Sequence, residues 1–288
     1  MKGRALGVAG ALFYIFLWAS AFVPSKVGVL GAPPLWFLVV RFAVAGLLAL
    51  IVARLLGAVL PRSRKDWIAV AALGILGNAI YLGCTYIALR HLASGVGAIV
   101  ASTNPLTLAL VAPWLLREPL TPGKILGLLL GFGGVVWIML LRTGTGTAQP
   151  ADVALAFAGV LGGVAATIVF KKFCAGLDLR AVNALQLFAA GIVLLPLAIV
   201  FEGAPQVRWS WELVASFWYV VLVMSIGASL LWFWLLTHGE ASRVSAYYFL
   251  TPVFGLGLAA LLLHEPVGVR DLGGLAAIAA GISLVQRS

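Results

Sequence analysis

The sequence predicts an all-α integral membrane protein, with ten transmembrane helices as two inverted five-helix repeats and both termini cytoplasmic. Three observations predict it. Hydrophobic residues make up 63% of the 288 and charged residues only 10%. An average soluble domain carries about 25% charged residues, so this chain lacks the means to cover a water-facing surface. Its apolar runs are each near the roughly 20 residues that cross a bilayer as a helix, and backbone in lipid must satisfy its own hydrogen bonds, which selects helices. The third observation is a phrase stated twice: "LASGVGAIVASTNPLTLALVAPWLLREPL" from Leu92 and "EASRVSAYYFLTPVFGLGLAALLLHEPV" from Glu240.

Apolar runs between charges and turns place the spans at roughly 6–26, 34–56, 67–89, 94–116, 122–141, 152–172, 181–201, 212–236, 242–263 and 268–286. The first follows a basic start like that of a signal peptide, but no soluble domain comes after it, so it reads as a span. The second carries a charge, Arg41, inside it. The third sets Asn78, Tyr81 and Thr85 on one helical face, at i, i+3 and i+7. The fourth holds Ser102, Asn104, Thr107 and Pro105, and closes on Glu118-Pro119. The fifth spaces Gly123, Gly127 and Gly131 four apart, which lets a helix approach closely. A polar Gly/Thr linker, 143–151, separates a first unit (1–142) from a second (152–288). The sixth span ends at Lys172, and the seventh carries Gly191. The eighth repeats the spacing of the third with Ser225, Ser229 and Trp232. The ninth offers Ser245, Tyr248, Thr251 and Pro252 before Glu265-Pro266, and the tenth has Gly273, Gly274 and Gly281.

The repeat fixes the relation of the halves. With an offset of 147, Pro105 matches Pro252, Glu118-Pro119 matches Glu265-Pro266, Gly127 matches Gly274 and Gly134 matches Gly281. Five spans per half is an odd number, so the second half enters the membrane from the other side. Inverted halves around a midplane site are the plan of many secondary transporters. With the N-terminus in the cytoplasm, thirteen Lys and Arg fall inside and five outside, with Arg41 left in a span. That excess is the positive-inside signal, so the net charge of +10 reports orientation and not a nucleic-acid partner.

Ten spans in two halves, "LWASAFVPSKVG" in the first, "WFLVVRF" early in the second and the paired Glu-Pro motifs resemble the EamA-type members of the drug/metabolite transporter (DMT) superfamily, over essentially the whole chain. Within that family the chain is similar to the YddG-type aromatic amino-acid exporters of bacterial inner membranes. The resemblance implies a basket-shaped bundle in the inner membrane that exports amino acids and related metabolites.

The candidate substrate-binding residues are the mid-depth polar and aromatic ones: Trp18, Ser20, Asn78, Tyr81, Thr85, Ser102, Asn104, Ser225, Ser229, Trp232, Tyr248 and Thr251. Small polar residues also glue membrane helices together, while Trp36, Trp67, Trp209 and Trp211 sit where interfacial anchors belong. Pro105 and Pro252 are expected near mid-depth as hinges that free the carbonyls of Ala101 and Tyr248. Lys26 with Glu265, and Lys172 with Glu118, are candidate gate latches on opposite faces. Arg41 is a candidate partner for a substrate carboxylate. All nine acids fall in loops or at span ends, and intramembrane carboxylates are the usual proton relays and cation sites. Facilitated transport without obligatory proton exchange follows as the expectation. An exporter of other small metabolites or of cationic drugs within the same superfamily is the neighbouring alternative. A channel or membrane-embedded enzyme is a different class, and the scattered histidines and cysteines carry no metal-site or nucleophile–base pattern. No cofactor is expected, and the chain is expected as a monomer, or a homodimer through its glycine faces.

Overall fold

A computed structural model describes residues 2–92, 99–142, 149–254 and 269–288. Among these residues there is no strand. Seven helices are long and apolar enough to cross a bilayer: Leu6–Gly31, Pro34–Leu55, Arg64–Leu89, Pro122–Leu140, Pro150–Cys174, Leu179–Glu202 and Trp211–His238. Shorter apolar helices occupy Ile99–Leu115 and Leu272–Arg287. Helix Ala241–Ala246 runs on into a 3-10 turn, Tyr247–Leu250. Seven of the ten expected spans are therefore complete, and the fourth, ninth and tenth each extend into residues outside those described.

Local chemistry sets the helix starts. Ser63 Oγ accepts the Asp66 N–H and the Asp66 carboxylate accepts the Ser63 N–H, both at 3.1 Å; each thus satisfies an orphan donor of the first turn. Ser210, 147 residues further on, accepts the Leu213 N–H at 3.2 Å, so the third span of each half begins on the same kind of cap. Glu202 closes its own helix and accepts the Leu35 and Trp36 N–H groups at 3.0 and 3.1 Å, tying the seventh span to the start of the second. A carboxylate belongs there because a helix N-terminus leaves free N–H groups and carries partial positive charge.

The two capped spans start at different places. Arg64–Leu89 begins beside the loop where the Val59 N–H donates to Asp178 (3.2 Å) and Arg180 donates to the Leu56 carbonyl (2.9 Å). Trp211–His238 begins beside Arg208, whose N–H donates to the Gly31 carbonyl at 2.8 Å. Both spans are locally unwound into π-helix, at Ile75–Ile80 and Tyr219–Ala228. Asn78 and Ser225, 147 apart, sit in these two stretches. A third π-helical turn, Phe170–Cys174, ends the sixth span, and the first span is interrupted at Ala21. Such irregular turns expose backbone groups and are frequent at functional sites.

The prolines depart from expectation. Pro105 stands in the first turn of helix Asn104–Leu115, after a break at Ser102–Thr103, where a missing N–H costs nothing. Pro252 likewise follows the 3-10 turn, and the Tyr248 carbonyl is not freed, because the Thr251 N–H bonds it. Both helices are interrupted just before the proline and are not kinked through it. That is a matched break in the two halves.

The glycine spans pack on each other. A Cβ on Gly127 would lie 2.6 Å from the Gly281 carbonyl oxygen, and one on Gly134 would lie 2.8 Å from that of Gly274. Gly127 and Gly134 are the repeat mates of Gly274 and Gly281, so the contact is nearly two-fold symmetric. Gly131 is closed off by the Phe249 ring. The faces of Gly127, Gly131, Gly134, Gly274 and Gly281 are thus covered within the chain, while Gly133 and Gly273 have nothing within 4 Å.

Candidate substrate cavity

The remaining helices surround a cavity of about 190 Å³. Its walls come from the first four expected spans and from the sixth to the ninth, and neither glycine-rich helix contributes among the described residues. The volume is below the roughly 300–1,000 Å³ of drug-sized ligand pockets, which fits a small cargo.

One part of the wall is aromatic. Trp18 lies parallel to Tyr81, with centroids 6.1 Å apart, and meets Tyr248 edge-on at 5.6 Å. Trp232 stacks on Tyr14 at 4.9 Å and meets Tyr248 at 5.3 Å. The hydroxyls of Tyr14 and Tyr248 share a hydrogen bond of 2.7 Å, which satisfies two polar tips inside an otherwise apolar cluster. Rings this close fill the space between one another and form a continuous wall.

The other part is polar. Arg41 is 5% exposed, and its Nε donates to Ser225 Oγ and its Nη1 to Tyr86 OH, both at 2.9 Å. Tyr86 OH also shares a hydrogen bond of 2.8 Å with Ser25 Oγ. Arg41 Nη2 has no hydrogen-bond partner and the guanidinium no carboxylate partner among the described residues. A chain of amides continues from Ser225: Asn183 Nδ2 donates to the Ser225 carbonyl (3.0 Å), Gln186 Nε2 to Asn183 Oδ1 (3.1 Å), and Asn78 Nδ2 to Gln186 Oε1 (2.7 Å). The two π-helical stretches are thereby joined through the seventh span. Gly74 makes this possible, since a Cβ there would overlap the Gln186 carbonyl oxygen. No Asp or Glu is on the cavity wall among the described residues, so Arg41 is its one formal charge.

Of the expected substrate-binding residues, Trp18, Asn78, Tyr81, Thr85, Asn104, Ser225, Ser229, Trp232 and Tyr248 are on this wall, with Arg41. The Asn104 amide makes no hydrogen bond among the described residues and so remains available to a cargo. Three expected residues lie elsewhere. Ser20 is tied to Tyr219 OH (2.5 Å) and the Leu17 carbonyl (2.8 Å). Ser102 is buried at the helix break, and Thr251 Oγ1 is buried without a partner. Sequence reasoning missed Tyr14, Ser25, Tyr86, Asn183 and Gln186. Tyr14 is one turn before Trp18, and Asn183 with Gln186 forms an i, i+3 polar pair in an apolar span, so both signals were legible.

The proposed latches resolve differently. Glu118 is buried and does not meet Lys172. Its Oε1 accepts the Ala241 N–H at 2.6 Å, and its Oε2 accepts the Ser242 N–H (2.9 Å) and hydroxyl (2.7 Å). It caps the ninth span because that N-terminus offers several donors in one place. Beside it, fully buried Lys124 pairs with Glu240 at 2.6 Å. Lys172 is exposed over the Phe173 ring, and its neighbour Lys171 donates to the Leu236 and Gly239 carbonyls at 3.0 and 2.8 Å. Lys26 makes the matching contact in the first half, donating to the Leu89 carbonyl at 2.7 Å. Leu89 and Leu236 are 147 apart, so each half uses a lysine from its first span to cap the C-terminus of its third. Glu265, the proposed partner of Lys26, lies outside the described residues.

The family model of EamA-like transporters matches twice, at residues 5–140 and 151–287. An uncharacterized transporter of Bacillus subtilis (strain 168), YvbV, is 30% identical over 281 residues, covering 95% of this chain and 89% of that protein. A second from the same organism, YoaV, is 26% identical over 279 residues, covering 95% and 94%. A solved crystal structure with 20% sequence identity superposes with a TM-score of 0.80, covering 97% of this chain and 96% of the other, a likeness of fold. Two family matches at the two halves, full-length transporter relatives and a central cavity between membrane-spanning helices lead to one conclusion: this chain belongs to the EamA-like transporter family and is a multi-pass membrane transporter.

Proposed function

We propose that this transporter exports amino acids, neutral and aromatic ones included, across the inner (plasma) membrane, by alternating access around the cavity described above. Ten spans form two inverted halves with both termini cytoplasmic. This is supported by the charge distribution and by the shared serine and lysine caps of third spans that begin beside different loops. One observation carries the reading of the cargo: among the described residues, a lone guanidinium with a free Nη2 on a wall otherwise made of aromatic rings, aliphatic side chains, hydroxyls and amides. A carboxylate can take Nη2 in a charge-assisted bond, and an apolar side chain can lie against the rings. With no acidic group on the described wall there is no evident proton acceptor, which supports facilitated diffusion. The same lone positive charge disfavours organic cations.

Counterflow in liposomes holding the purified protein tests this, with a panel of neutral and aromatic amino acids, organic cations and sugar phosphates. Saturable exchange of amino acids is the expected result, and exchange of cations alone would refute the reading. Uphill accumulation driven only by a pH gradient would overturn the facilitated mechanism.

A further inference from the structure

Charge balance in the cavity narrows the cargo further. Arg41 is held in place by Ser225 and Tyr86, neither of which neutralises it, and it faces the cavity with Nη2 unbonded among the described residues. A buried cation without a counter-ion is costly, and a cargo carboxylate relieves that cost. A zwitterion brings a second positive charge with it. No carboxylate on the described wall receives that ammonium. The central ring cluster does not enclose it either: with centroids 4.9 to 6.2 Å apart, the rings of Tyr14, Trp18, Tyr81, Trp232 and Tyr248 pack on one another and leave no box between them. What remains for an ammonium among the described residues is uncharged: single ring faces and hydroxyl, amide and carbonyl oxygens. The two parts of the wall are a short molecule apart, since Ser225 and Trp232 are seven residues along one helical span, roughly 10 Å at 1.5 Å per residue.

We propose that the preferred cargo of this site is a monocarboxylate with a flat apolar body on a short spacer, bound more tightly than the amino acid of the same shape. The inference rests on the reading of this cavity as the transport site and deepens it. The anion neutralises Arg41, the ring lies along the Trp18–Tyr81 wall, and no group is left to find a counter-charge. Translocation of that anion moves net charge, whereas a zwitterion moves none, so only the anion responds to membrane potential.

Three compounds with one ring separate the outcomes in counterflow with the purified full-length protein: 3-phenylpropionate, phenylalanine and phenethylamine. The expected result is a kcat/KM for 3-phenylpropionate at least tenfold above that for phenylalanine, with phenethylamine inert. An imposed inside-negative potential should speed efflux of phenylpropionate and leave that of phenylalanine unchanged. Arg41→Lys should keep the preference for the acid, and Arg41→Gln should reduce the ratio to about one; should the Gln variant not fold, the kcat/KM ratio of acid to amino acid in the wild type and in Arg41→Lys decides. Phenylalanine equal to or better than phenylpropionate overturns this inference and leaves amino-acid export standing. Phenethylamine as the best cargo, or exchange of none of the three, overturns both.

Discussion

Replacing Glu118 separates a helix cap from a gate latch. Glu118 accepts two backbone N–H groups and a hydroxyl in a buried site. Glu118→Ala removes all three acceptor contacts. Ser242 Oγ keeps a neighbour in Lys124 at 3.3 Å, but the Ala241 and Ser242 N–H groups are left without a partner. Each buried unsatisfied donor costs about 1–3 kcal/mol, so the expected loss is about 3–4 kcal/mol, or roughly 8–12 °C in Tm at the scale of larger domains. Glu118→Gln keeps the shape and one good acceptor and should lose about 1–2 kcal/mol. Thermal unfolding in detergent, followed with a thiol-reactive dye that reports exposure of the fully buried Cys174, ranks the three proteins. A Glu118→Ala protein melting within about 2 °C of wild type would refute the capping argument.

The lysines give a paired comparison in the same melt: Lys171→Ala strips two carbonyls at the end of Trp211–His238 and should lower Tm by several degrees, while Lys172→Ala should leave it unchanged. Equal losses would revive the Lys172 latch. Gly127→Ala presses a methyl group onto the Gly281 carbonyl and should cost about 1–3 kcal/mol through overpacking, whereas Gly133→Ala, with nothing within 4 Å, should be neutral. Asp178 is held down to about 2, chiefly by its hydrogen bonds from Arg180. Its contribution is full above the ordinary aspartate value near 4 and fades as pH falls through about 2, so Asp178→Asn should lower Tm at pH 7 and lose most of that effect by about pH 2. A mutant deficit that persisted in acid would contradict that sign.

Much of this architecture is legible without coordinates. Composition separates lipid-facing from water-facing chains, and the complete spans agree with their expected positions to within a few residues, because a bilayer dictates both length and hydrogen bonding. Gly127, Gly134, Gly274 and Gly281 announced a close helix contact, and the repeat offset of 147 predicted which glycines correspond. Tertiary structure decided what a one-dimensional pattern does not encode. Periodicity places Asn78 on a face, but only packing reveals that it reaches Gln186. Charge complementarity paired Glu118 with Lys172 on paper, whereas in space a helix N-terminus supplied Glu118 with nearer donors. The prolines marked the right places but the wrong event, since a helix that stops and restarts has the same sequence signature as one that bends. Arg41 illustrates the division best: its burial within a span follows from its neighbours in the chain, but its free nitrogen and its lack of an acidic partner among the described residues follow from how eight segments pack around the cavity.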